Sequence, residues 1–286
     1  MLSMLISKMF EPEPEPISNA DQAQQAIIAA TSAGHLNQIS SQALLANLNA
    51  NTVPSTIGTQ VQLLETTTPL VLCIVVDSTG SLAGFEDIIV KALNNTVGDF
   101  KLMRNKTGQE MYLCIIEFSN RGTGQYMRVI QDFIHVQDYC ELTINDYQTA
   151  GRTPLNDATI DGITRTMAFG ASTFAYGATG VQEVTIIITD GDDNDSQRTP
   201  ADVAHFLVEL NTKPNFVAAF VGVGNFPWMA VAKSMGFLDG NIVTVDKTAT
   251  GIAKALKLYS SSVSSRSAAS QAGKPVSSSG FFVNTP

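Results

Sequence analysis

In the stretch DSTGS, Asp77, Thr79 and Ser81 alternate directly after the apolar run LVLCIVV. A loop leaving a strand at that point can turn three oxygens toward one place. Two further stretches offer donors of the same kind. In GRTPLNDA, Thr153 precedes a helical pattern with Pro154 at its start, where a missing N–H is tolerated. In ITDGDDNDS, Asp190 ends another apolar run and Gly191 permits a tight turn. Carboxylates and hydroxyls without sulfur or imidazole make a hard-oxygen site, suited to Mg²⁺ or Mn²⁺ rather than zinc or copper. Two carboxylates about 5 Å apart repel by roughly 3 kcal/mol at an effective dielectric of about 20, so a cation between Asp77 and Asp190 is favoured.

The elements that must position these loops are legible as alternating patterns. Apolar, β-branched runs predict strands over 70–76, 111–118, 127–135, 182–189, 216–223 and 241–245. Helical patterns fall at 84–104, 155–175, 200–212, 226–236 and 248–260. The second and third strands are joined by SNRGTGQ and read as a hairpin. The alternation predicts an α/β, Rossmann-like, doubly wound and mostly parallel six-stranded sheet with helices on both faces. In such sheets ligands bind beyond the carboxyl ends of the strands near the topological switch point, where DSTGS falls.

The chain has 286 residues, 44% apolar and 15% charged, with a net charge of -9. That size suits one large domain with appendages. Residues 1–68 read as an N-terminal appendage, an extended EPEPEP spacer followed by short helices; 69–260 form the domain; 261–286 form a Ser-rich flexible tail. The acidic balance and the lack of a basic stripe argue against nucleic acid and anionic membranes as partners. Cys73 and Cys114 sit inside apolar runs and read as core residues, which points to a reducing compartment. The start MLSMLISKMF lacks the layout of a signal peptide, no run reaches membrane-spanning length, and a cytoplasmic location is expected.

The three loops, in this order and at these strand ends, resemble the metal-ion-dependent adhesion site (MIDAS) of von Willebrand factor A (VWA) domains, over roughly residues 68–260. The resemblance implies a Rossmann-like sheet with one antiparallel edge strand and a metal set of Asp77, Thr79, Ser81, Thr153 and Asp190. Thr79 departs from the family's usual serine but keeps the hydroxyl. TPLNDA and TDGDDND are similar to prokaryotic, intracellular members. It further implies a cation, Mg²⁺ or Mn²⁺, completed by a Glu or Asp from a protein partner. Apart from the resemblance, Asp77 and Thr153 also read as ordinary helix caps.

Other motifs carry less. DGDDNDS fails as a calcium loop, because the required glycine and terminal glutamate are Asp195 and Ala201. Asp192, Asp193 and Asp195 read instead as a solvated acidic rim that attracts cations or a basic partner edge, with Asp192 and Asp193 as partner-binding candidates. The partner surface would also include Asn120–Gly124, Phe174–Gly180 and Gly224–Ala230, with the single tryptophan, Trp228, as anchor or as packing beneath the site. His35, His135 and His205 share no ligand spacing, and neither GxSxG nor a Walker A sequence occurs. The expectation is a non-enzymatic adaptor in an intracellular complex, with an AAA+ ATPase of the MoxR type as one partner class suggested by the resemblance. A self-assembling structural component and a Mg²⁺-dependent hydrolase are the alternatives.

Overall fold

A computed structural model of the chain describes residues 18–282 except 50, 58–63, 65 and 125; the EPEPEP segment lies outside the described residues. Six strands form one sheet: β1 (Leu70–Asp77), β2 (Met111–Phe118), β3 (Met127–His135), β4 (Gln182–Thr189), β5 (Phe216–Val223) and β6 (Ile242–Val245). Their order is β3-β2-β1-β4-β5-β6, parallel throughout except for β3, which runs antiparallel to β2 at one edge. This is the doubly wound α/β arrangement expected from the sequence. The chain winds outward from β1 to β3, then returns to β4 and winds the other way. The switch point therefore lies between β1 and β4.

All eight residues of β1 are buried because both faces are covered. Val71, Cys73 and Val75 point into a core shared with helix α4 (Leu155–Thr173) and helix α5 (Pro200–Leu210). Leu70, Leu72, Ile74 and Val76 point into the opposite core, closed by α3 (Glu86–Thr107) and α7 (Ala249–Gln271). Helix α4 approaches β1 so closely that a Cβ on Gly162 would lie 2.6 Å from Val75 Cγ2. The short helix α6 (Trp228–Ser234) follows β5.

Every residue of α4 is buried, which a helix lying on one sheet face does not achieve alone. Its outer side is covered by α1 (Asn19–Ser32) and α2 (Gln38–Ala46), with Ala23, Ile27, Ala30 and Leu44 in the same core. The segment after α2 is latched by polar contacts. Arg165 of α4 donates through Nη1 to Asn51 O (2.9 Å) and Val53 O (3.0 Å) and pairs with Asp132 at 2.6 Å.

The carboxyl end differs from the expected tail boundary at 260. Helix α7 continues to Gln271, and the chain then folds back so that Phe281 is buried beside Tyr259. Arg266 fastens this return through Ser277 O (2.6 Å) and Pro214 O. A Ser-rich composition concealed an amphipathic helix whose buried serines are small enough to pack, as Ser260, Ser262 and Ser267 do. No helix among the described residues is long and apolar enough to cross a membrane.

Candidate metal centre

Parallel pairing of β1 with β4 sets the site. Val76 lies opposite Ile188, so Asp77 at the end of β1 and Thr189 at the end of β4 emerge side by side. Asp77 is fully buried. Its Oδ1 accepts from the Thr79 amide (2.8 Å) and its Oδ2 from the Thr189 hydroxyl (2.6 Å). Burial pushes the Asp77 carboxyl up to about 6, against the lowering effect of those hydrogen bonds, and the nearby Asp190 charge adds to the rise. A carboxylate destabilised in this way gains from any cation brought beside it.

The hydroxyls follow in sequence order. Thr79 Oγ1 lies 3.0 Å from Ser81 Oγ, and Ser81 Oγ donates to Asp190 Oδ1 at 2.7 Å. Adjacent ligands of an octahedral Mg²⁺ with oxygens at about 2.1 Å are separated by about 3 Å, so these separations and this all-oxygen set fit such an ion. Among the described residues no cluster of three His, Cys, Asp or Glu side chains suits a metal, because this set relies on hydroxyls.

The second loop is braced on both sides. Ala150 donates to Ser78 O (2.9 Å), and Asn120 pairs with Arg152 in an isolated bridge. Gly151 has φ +82° and a Cβ there would meet Asn120 O at 2.3 Å, so only glycine fits. Thr153 is buried, and a Cβ on Gly191 would come within 2.9 Å of its Oγ1. The Thr153 hydroxyl thus abuts the residue after Asp190. Asn194 fixes the arrangement by accepting from the Thr153 amide (2.9 Å) and donating its own amide to Thr153 O (3.1 Å).

The proposed partner surface is sorted differently from the expectation. Trp228 is 1% exposed and is not a surface anchor. Its ring lies over Gly222, where a Cβ would be 2.0 Å from Trp228 Cγ, and its indole N–H donates to Gly224 O at 3.2 Å. Burying that large ring under the β5 end is worth more than exposing it. Asp193 turns inward: it accepts from the Asn156 amide at 2.9 Å, satisfying a free N–H at the start of α4, and from Ser196. Asp192 is exposed. Phe174–Gly180 lies at the opposite end of the sheet, where Thr179 donates to Thr67 O just before β1. Asn120–Gly124 and the exposed Phe226 remain at the carboxyl end, after β2 and β5.

Three participants escaped sequence reading. Thr189 is the penultimate residue of ITD and its hydroxyl could be inferred only from the β1/β4 register. Tyr147, fully buried, donates its hydroxyl to Asp77 O. Lys247, in the turn after β6, brings its ammonium 2.6 Å from Asp190 Oδ2 and donates to Ser81 O at 2.7 Å. The Asp190 contact is an ion contact rather than a well-directed hydrogen bond.

No family model and no curated protein matches the chain. Solved structures do match, at low identity. The pilus adhesin SpaC from Lactobacillus rhamnosus GG, in its open conformation, superposes with a TM-score of 0.52 at 10% identity, over 72% of this chain and 31% of its own. Proximal thread matrix protein 1 from the mussel byssus, with a zinc-occupied MIDAS motif, gives 0.47 at 13% identity, over 69% of this chain and 48% of its own. The SpRpn10 VWA domain gives 0.45 at 11% identity, over 66% and 94%. The chain spans less than half the length of the byssus proteins it matches. At these identities the likeness is one of fold.

Proposed function

We propose that this chain is a non-enzymatic interaction module that grips an acidic side chain of a protein partner through a divalent cation, Mg²⁺ or Mn²⁺, held by Asp77, Thr79, Ser81, Thr153 and Asp190. The observation that carries this reading is the chain of oxygens centred on Ser81 Oγ, 3.0 Å from Thr79 Oγ1 and 2.7 Å from Asp190 Oδ1, beside the desolvated Asp77. A bound Mg²⁺ would supply the positive charge that a partner carboxylate completes. The chain's own residues supply the rest: Ser81 stands exposed at the rim, Asp192, exposed on the loop after β4, adds acidic charge, and the loops after β2 and β5 offer surface for selection. The charge-assisted contact alone is too small for specificity, so those loops must discriminate.

The further reading, an adaptor in a cytoplasmic complex with an AAA+ ATPase of the MoxR type, rests on the resemblance of the loops to intracellular VWA proteins. Two of the three histidines offer the site no general base. His35 stacks on Phe174 and His135 lies beside Tyr112, both away from the carboxyl ends of β1 and β4. The test is capture of partners from the source cells in Mg²⁺ and in EDTA, with wild type and Asp77→Ala. A protein retained only by wild type in Mg²⁺ is the expected result. Equal capture in all arms overturns the metal-bridged reading.

A further inference from the structure

Lys247 is placed by a rigid turn. Thr248 caps α7 by accepting from the Gly251 amide at 3.0 Å, and a Cβ on Gly251 would meet Asp246 O at 2.1 Å. The Lys247 stem runs past Gly224, where a Cβ would lie 3.5 Å from Lys247 Cβ. From there the ammonium crosses the end of the sheet to two acceptors of the candidate site, one on the loop after β4 and one on the loop after β1. It bypasses its exposed neighbour Asp246. The Asp190 side chain it meets has 0% exposure, whereas the Lys247 side chain is 36% exposed. This is not the geometry of a solvated surface pair, in which both partners stay wet and contribute little.

We infer that Lys247 is a tethered cation that neutralises Asp190 in place of the metal, so that a divalent ion binds only by displacing its ammonium. The inference rests on the metal-site reading and adds a competitor built into the chain. The charges give the reason for exchange. Asp77 and Asp190 carry two negative charges when ionised and Lys247 supplies one positive charge, which leaves one uncompensated; a divalent ion balances both. The ammonium keeps a buried Asp190 paired when no ion is present, and it can leave because its stem already borders solvent. The affinity of the site is thereby set lower than its oxygens alone would give, and partner binding through the ion becomes dependent on divalent concentration.

The experiment is Mn²⁺ titration of the full chain, followed by electron paramagnetic resonance of the free ion, for wild type, Lys247→Met, Lys247→Arg and Lys254→Met. Lys254 is exposed on α7, so its variant matches the change in net charge without touching the site. Lys247→Met is expected to bind Mn²⁺ about tenfold more tightly or better. Lys247→Arg and Lys254→Met are expected to stay close to wild type. In EDTA, Lys247→Met is expected to melt below wild type, with saturating Mn²⁺ closing the gap. Lys247→Gln serves the same comparison if the methionine variant does not fold. Equal or weaker Mn²⁺ binding by Lys247→Met, while wild type binds, overturns the competitor role and leaves the metal site standing. Absence of Mn²⁺ binding in every variant overturns the metal site and this inference together.

Discussion

Two of the clusters that set buried carboxylates against cations, one on the outer side of helix α4 and one at the carboxyl end of β4, are built to opposite ends. Under the N-terminal segment, Asp161 accepts from Arg198 at 2.8 Å and Asp132 pairs with Arg165 at 2.6 Å. The Arg165 side chain is 4% exposed and is also tied to two backbone carbonyls, so the pair cannot come apart without lifting the segment around Asn51 and Val53. At the carboxyl end of the sheet, Asp190 faces a lysine that enters from a half-open edge. A guanidinium held in a fork of acceptors is structural, while an ammonium on a flexible stem is replaceable. Burial of a charge therefore does not by itself mark a functional site; what separates the two clusters is the replaceable counter-charge inferred at Lys247.

The largest expected effect tests the structural member of the pair. Arg165→Leu strands Asp132 and two carbonyls, and urea unfolding should show a loss of about 3–5 kcal/mol, the same in Mg²⁺ and in EDTA. Recovery in Mg²⁺ would break the contrast. A buried carboxylate without a close ion pair sharpens it further. Burial lifts Glu183, at the amino end of β4, to about 7, with Lys213 only partly opposing the rise. The folded protein then holds a proton that the unfolded chain releases, so stability is greatest below the ordinary glutamate value near 4.5 and falls as pH rises toward 7. Glu183→Gln should remove that slope and gain roughly 3 kcal/mol at pH 8 relative to wild type, read from unfolding curves between pH 4 and 8. A slope that persists would mean that another group carries it.

Smaller effects belong to the replaceable site. Ser81→Ala removes one donor oxygen and the hydrogen bond to Asp190. Calorimetric Mn²⁺ titration should show about tenfold weaker binding, near 1.4 kcal/mol, with unfolding changed by roughly 1 kcal/mol. Unchanged affinity would remove Ser81 from the metal set. Asp192→Asn is the mildest: with the side chain exposed, stability should stay within about 0.5 kcal/mol, while capture of a partner weakens. A partner indifferent to this change would confine recognition to the ion and the β2 and β5 loops.

Much of the frame was legible because it is local. Continuous apolar runs marked each buried strand to within one residue, and only β6 begins one residue later than expected, at Ile242. DSTGS and ITD announced oxygen donors at strand ends and GRTP one just ahead of α4, and the β1/β4 register brings the loops of Asp77, Ser81 and Asp190 together. What the sequence left open or hid shares a cause: long-range packing. The sequence leaves Trp228 open between anchor and packing, and the missing side chain at Gly222 decides for packing. Asp193 looked like rim charge, yet it satisfies the start of α4, an element far from it in sequence. The Ser-rich stretch after 260 lacked the contrast of large apolar against charged residues that makes a helix visible, but small buried serines pack as well as alanines.

What the sequence by itself determined is the strands, the alternation with helices that calls for a doubly wound sheet, and the chemical type of the donors, since strands and donors depend on residues within one element or loop and the alternation on their order along the chain. The tertiary structure alone decided which counter-charge each buried acid meets. Lys247 reaches Ser81 across 166 residues of chain, and Arg165 reaches Asn51 across 114. No local pattern encodes such pairs, because they follow from where parallel strands end and from which stem is long enough to cross between them.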